Sequence, residues 1–107
     1  MARGGKKEAV VAARLGEARA ASGISQRELG ILAGMDPSVA SPRVNQYERG
    51  KHTPDTSTLG KLGEVLNVPI AYFYAEDEQL ALLILAFHRA PVTVRRRLIA
   101  SLAKLDR

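Results

Sequence analysis

Within six consecutive residues, Ser41, Arg43, Asn45 and Gln46 bring together a hydroxyl, a guanidinium and two primary amides. An amide carries a donor beside an acceptor, and a guanidinium carries a planar fork of donors. Each can therefore hold a flat partner through two hydrogen bonds. The exposed edge of adenine matches the Gln46 amide; that of guanine matches Arg43, which can equally take a phosphate. Arg49, Lys51 and His52 follow closely and supply cations suited to a polyanion backbone. The competing reading of the same residues is an ordinary solvated face.

Other chemistries find little support. The sequence has no cysteine, which excludes disulfides, thiolate metal sites and a cysteine nucleophile. Its two histidines, His52 and His88, stand far apart without metal-ligand spacing, and no glycine-rich phosphate loop is present. No enzyme, cofactor or metal is expected. Sixteen Lys and Arg against eleven Asp and Glu leave a formal charge of +5, a balance that favours polyanionic partners. Met1 to Lys7 is basic but not followed by a signal-peptide-like apolar run. The longest apolar block, Leu80 to Phe87, is too short to span a bilayer. A cytoplasmic location with no membrane partner is the expectation.

Positioning those side chains falls to helices. Apolar residues recur at three and four rather than at two, so the 107 residues read as all-α. Met1 to Gly5 is expected to be a flexible tail. Val11, Leu15 and Ala18 then line one face of a first helix that closes near Ser22 and Gly23. Ser25 with Glu28 three residues later has the form of a capping box, opening a second helix that runs to about Gly34. Asp36, Pro37 and Ser38 predict a turn or loop from Gly34 to Ser41. Ser41 before Pro42 then predicts the start of a third helix, ending near Gly50, with Val44 and Tyr47 facing inward. Asp55 caps a fourth helix with Leu59, Leu62, Val65 and Leu66, closed by Asn67. Gly60 and Gly63 within it are either tolerated or admit a close neighbour. Ile70 to Tyr74 predicts a short helical turn, with Tyr72, Phe73 and Tyr74 as core and lid residues. Two further helices follow, one opened by Glu76, Asp77 and Glu78 and ending at Pro91, the other carrying Val94, Leu98, Leu102 and Leu105.

From Arg14 to Glu76, about three-fifths of the chain, the sequence resembles Cro/C1-type regulators, the XRE family of helix-turn-helix transcription factors. The resemblance rests on Arg19, Gly23-Ile24-Ser25-Gln26-Arg27-Glu28-Leu29, Tyr47-Glu48-Arg49-Gly50, Pro54 and Leu62 to Val68, in that order. It implies a lambda-repressor-like helix-turn-helix bundle whose third helix reads the major groove of double-stranded DNA. The DNA-binding residues it points to are Gln26, Ser38, Ser41, Arg43, Asn45, Gln46, Arg49 and Lys51. Gln46 is the foremost base contact, and Gln26 holds a phosphate. Arg19 and Glu48 are implied as a structural ion pair between helices one and three. From Gly34 to Glu48 the sequence is about four residues longer than the family pattern. That length is assigned to an enlarged turn at Met35 to Ser41, from which Ser38 and Ser41 would reach phosphates. Ile31 and Leu32, apolar where the family is polar, are expected to pack beneath it. Gly30 stands where the family usually keeps Ala.

The expected organisation is a tail over 1–5, a DNA-binding domain over 6–75 and a C-terminal helical hairpin over 76–107. Leu80, Leu82, Leu83, Ile84, Leu85 and Phe87 make the sixth helix apolar nearly all round, which implies a second interface. A homodimer placing two reader helices on a palindromic operator, as a repressor, fits that surplus. The alternative is an antitoxin-like module that holds a protein partner through the hairpin and regulates its own operon. Arg95 to Arg97 read as a solvated face.

Overall fold

A computed structural model describes residues 5–106. The flexible tail expected over 1–5 therefore falls outside them, save Gly5. Seven helices follow in order: α1 (Lys6–Ser22), α2 (Gln26–Leu32), α3 (Pro37–Glu48), α4 (Thr56–Leu66), α5 (Ile70–Phe73), α6 (Glu78–Arg89) and α7 (Val92–Leu105). No strand occurs among the described residues.

The core is built by one face from each of the first five helices. Val11 and Leu15 of α1, Leu29 of α2, Val44 of α3, Leu59 and Leu62 of α4 and Phe73 of α5 are all essentially sealed from water. Each fully buried side chain of this kind contributes about 1.5–3 kcal/mol. Helix starts follow local chemistry. Ser25 accepts from the Glu28 backbone N–H while Glu28 accepts from that of Ser25, which closes the expected capping box. Asp55 caps α4 by accepting from the Thr58 N–H, and Asn67 closes it in the left-handed conformation at φ 57°. Within α4, a Cβ on Gly63 would lie 2.6 Å from the Val68 carbonyl oxygen, so that glycine admits a close neighbour. At Gly60 only ordinary contact would result.

Two expectations are corrected between α2 and α3. The third helix begins at Pro37, not at Ser41, and the connection is the short segment 33–36 instead of an enlarged turn. Asp36 caps the helix by accepting from the Ser38 N–H at 2.8 Å. Pro37 takes the first position, where a missing N–H leaves nothing unpaired. Pro42 lies inside the helix, where it deprives the Ser38 carbonyl of its partner at a cost of about 3 kcal/mol. Burial of Ala40 and Val44 offsets that loss. Ala40 packs on Gly30 so closely that a Cβ on Gly30 would lie 2.7 Å from that of Ala40. The family's usual Ala would not fit here. The extra residues thus form an added first turn of α3, and Gly30 is the space that turn requires. With no large turn to cover them, Ile31 is half-buried and Leu32 stands 64% exposed.

Beyond α5 the character changes. Ala81 of α6 is buried, and Ile84 and Leu85 lean on the core, but α7 buries no residue. The radius of gyration is 15.5 Å against about 13 Å for a compact domain of about 100 residues, in keeping with an elongated outline of 52 × 33 × 21 Å.

Candidate nucleic-acid interface

One carboxylate organises the corner where α1, α2 and α3 meet. Glu48, at the end of α3, accepts from Arg19 Nε through Oε2 at 2.5 Å and from Arg19 Nη2 through Oε1 at 3.1 Å. Arg19 Nη1 also donates to the Ile24 carbonyl at 3.0 Å, which ties in the α1–α2 connection. The Glu48 hydrogen bonds raise the Arg19 pKa against the opposing effect of burial, so the cation is held. Glu48 Oε1 takes one more bond, from Gln26 Nε2 at 3.0 Å, and the same nitrogen donates to Asn45 Oδ1 at 3.2 Å. Both amide hydrogens of Gln26 are thereby engaged within the protein. Three helices converge on this carboxylate, which fixes the roll of α3 about its own axis.

The opposite side of α3 is open. Ser38, Pro42 and Gln46 fall at spacings of four, so they form one exposed stripe, with Arg43 beside it; Arg49, the residue after the helix, is exposed but shares a recess with Glu48 and with Ala9 and Ala12 of α1. Arg43, Gln46 and His52 line a common recess with Tyr47 and Thr53. Lys51 is brought there by the chain turning back after α3, its N–H donating to the Gln46 carbonyl at 2.9 Å. Ser41 and Asn45 are half-buried at the edge of the stripe, Asn45 through its tie to Gln26. Ser38 lies in the first turn of the helix, not in a loop, and its hydroxyl donates to Asp36 Oδ1 at 2.6 Å. Pro42, read in the sequence as a helix start, adds an apolar ring to the centre of the stripe.

With this geometry in place, comparison with known proteins is decisive: the helix-turn-helix family model matches residues 15–73. The chain belongs to the Cro/C1-type helix-turn-helix family. Among its relatives, the HTH-type transcriptional regulator ImmR of Bacillus subtilis (strain 168) is 37% identical over 65 residues. That match covers 61% of this chain and 48% of ImmR, so the chain spans about half the length of this relative. Among solved structures, that of the transcriptional regulator BswR superposes with a TM-score of 0.82 at 41% identity, covering 87% of this chain and 92% of that one. The BswR match reaches beyond the helix-turn-helix unit, which alone is little more than half of the chain.

Sequence reasoning missed two arginines of this helix-turn-helix protein. Arg14, only 4% exposed, donates to the Ala75 carbonyl at 2.8 Å, the Glu76 carbonyl at 3.3 Å, Glu17 at 2.9 Å and Glu78 at 3.1 Å, with the Tyr72 ring against it. Desolvation opposes its charge, but the bonds it donates to Glu78 and Glu17 outweigh it and its pKa is raised. Arg95, expected on a solvated face, is half-buried instead. Its Nε donates to the Phe87 carbonyl at 2.8 Å and its Nη2 to the His88 carbonyl, with the guanidinium over the Phe87 ring. Arg96 and Arg97 are exposed. Only the Arg14–Glu17 pair, three residues apart on one helix, was readable locally; the other partners of Arg14 lie more than sixty residues away, and Arg95 reaches Phe87 and His88 across the break between α6 and α7.

Proposed function

We propose that this chain is a sequence-specific, DNA-binding transcriptional regulator that acts as a repressor by occupying a palindromic operator as a homodimer. The observation that carries this reading is the open stripe of α3 opposite a face locked by Glu48. A helix of that kind enters the major groove with its polar side chains preset. Gln46 pairs with an adenine edge and Arg43 with a guanine or a phosphate, while the Pro42 ring meets a thymine methyl. Ser38, Ser41, Arg49 and Lys51 hold phosphates along the groove. Gln26 exchanges its bond to Asn45 for one to a phosphate oxygen and keeps Glu48, and Asn45 then turns its freed amide to the DNA.

Residues 6–75 carry the DNA-reading helices, and 76–107 supply the dimerisation surface while α6 also closes the core through Ala81, Ile84 and Leu85. The exposed residues Leu80, Leu83, Val94, Ile99, Leu102 and Leu105 support the second assignment, since they leave an apolar surface along α6 and α7 that a lone protomer does not cover. No helix among the described residues is long and apolar enough to cross a membrane. The same apolar surface favours a second reading, an antitoxin-like module that seats another protein there. Selection of bound duplexes from random DNA at stated salt, with light scattering of the free protein, separates the two. Two inverted half-sites and a dimer are expected. Failure to enrich any motif, with a stoichiometric protein partner retained through residues after Asp77, would overturn the repressor reading.

A further inference from the structure

The orientation of α6 and α7 cannot come from apolar packing alone, since α6 buries only Ala81 fully and α7 buries nothing. Three guanidinium groups supply what packing does not, and each grips main-chain carbonyls at the end of an element. Arg14 of α1 holds the carbonyls of Ala75 and Glu76, in the link that leads into α6. At the other end of α6, Arg89 donates to the carbonyls of Asn67 at 3.0 Å and Leu66 at 3.3 Å, the last of α4. Arg95 of α7 holds the carbonyls of Phe87 and His88, the last of α6. Carbonyls at helix ends lack their usual intrahelical partners or, like that of Phe87, which already accepts from the Ala90 N–H, keep a second lone pair for these bonds. A grip on the backbone also transmits direction, which a bond to a flexible side chain would not. The planar fork of arginine holds two carbonyls at a fixed angle, whereas the single rotatable ammonium of lysine fixes no such geometry.

These bridges complete a continuous path from the reader helix. Glu48 of α3 is bound by Arg19 of α1, α1 carries Arg14, and α6 passes from Arg14 to Arg95 and so to α7. We infer that Arg14, Arg89 and Arg95 are positioning residues that set the distance between the two reader helices of the dimer, and hence the half-site spacing the protein accepts. This rests on the dimeric DNA-binding reading above. The lever makes small errors matter. A helix of 14 residues is about 21 Å long, so a pivot of about 10° at its base moves its tip by nearly 4 Å, on the order of one base-pair step.

Two measurements on the full-length protein test the inference separately from that reading. The chain has no native cysteine, so Arg27→Cys and Ser101→Cys, at exposed positions on α2 and α7, accept spin labels for a pulsed-EPR distance. Labelled chains diluted with unlabelled ones report the distance within one protomer. The parent is expected to give a narrow distribution and Arg14→Lys a broad one. Arg95→Gln, on a helix that buries nothing and so cannot endanger the core, is expected to broaden it as well. A distribution as narrow as the parent's in Arg95→Gln overturns the inference whatever the protein binds. Random-duplex selection then reads the consequence. The variants should recover the parental half-site sequence while their preference for the parental spacing collapses toward parity with neighbouring spacings. A retained spacing preference overturns the inference and leaves the repressor reading intact. A parent that selects no paired half-sites overturns that reading, and with it the spacing role.

Discussion

At the scale of single residues, the candidate interface separates side chains that read from side chains that hold. Gln46 is exposed and its side chain makes no hydrogen bond among the described residues, so under the proposed reading its loss removes a contact with DNA and little else. Gln46→Ala is expected to cost about 1–3 kcal/mol at one base position, while Lys51→Ala weakens every sequence alike and lowers the salt slope by about one. Competition against all single-base variants of the operator, repeated over a range of salt, checks both. A uniform loss for Gln46→Ala would contradict base reading. Arg19 belongs to the other class. Its bidentate partner Glu48 is only 11% exposed, so Arg19→Met strands a carboxylate and releases α3 from α1. Partial exposure moderates the penalty to about 2 kcal/mol, measurable by urea denaturation. DNA affinity should fall more than stability does, because Gln26 loses its fixed acceptor geometry as well.

Elements show where local sequence speaks clearly and where it is overruled. The capping box at Ser25, the caps at Asp55 and Asn67 and the inward faces of α1 and α4 were legible because each depends on neighbours within one or two turns. The start of α3 was not. Pro37 and Pro42 both satisfy the rule for a first helical residue, and local reasoning prefers Pro42, since that choice puts no proline inside the helix. Tertiary packing decides for Pro37: only a helix reaching back that far buries Ala40 against Gly30. Gly30→Ala therefore tests the added turn. It should destabilise by about 1–3 kcal/mol through overpacking, although Ala normally favours a helix, and should weaken DNA binding by shifting α3. A stabilised variant would show that α2 and α3 can part without consequence. The two aspartate caps give a pH signature. Hydrogen bonds from the Ser38 hydroxyl and backbone hold the Asp36 carboxyl below its ordinary value, and those from Thr58, backbone first, do the same for Asp55. A carboxyl with a depressed folded pKa stabilises the fold above its unfolded value, near 3.8, and that contribution disappears as pH falls through the folded value. Asp36→Asn with Asp55→Asn keeps both caps without the titration. Its melting temperature should lie below the parent's at neutral pH and converge with it in acid.

For the molecule as a whole, the last two helices are not equivalent. Ala81, Ile84 and Leu85 of α6 close the core, and its Glu78 pairs with the buried Arg14, so cutting the chain at Asp77 would damage the DNA-binding unit itself. The sequence did not reveal this, because the apolar residues of α6 point all round and nothing in their order says which face meets the core. Removing only α7 is the cleaner separation, since none of its own residues is buried and it uncovers the half-buried Ile84 and Phe87, which line a groove with Leu98 and Leu102. A chain ending at Ala90 is expected to stay folded and become monomeric. Dimerisation linked to folding makes the melting temperature rise with protein concentration, because mass action favours the associated state. The intact protein should therefore melt higher as it is concentrated, and the shortened chain should not. Sedimentation of the shortened chain as a dimer would place the contact elsewhere, with the Leu80, Leu83 and Phe87 face of α6 the surface then to be tested. A monomer that still binds one half-site weakly, with the parental base preference, would separate recognition in α3 from association in α7 within a single chain.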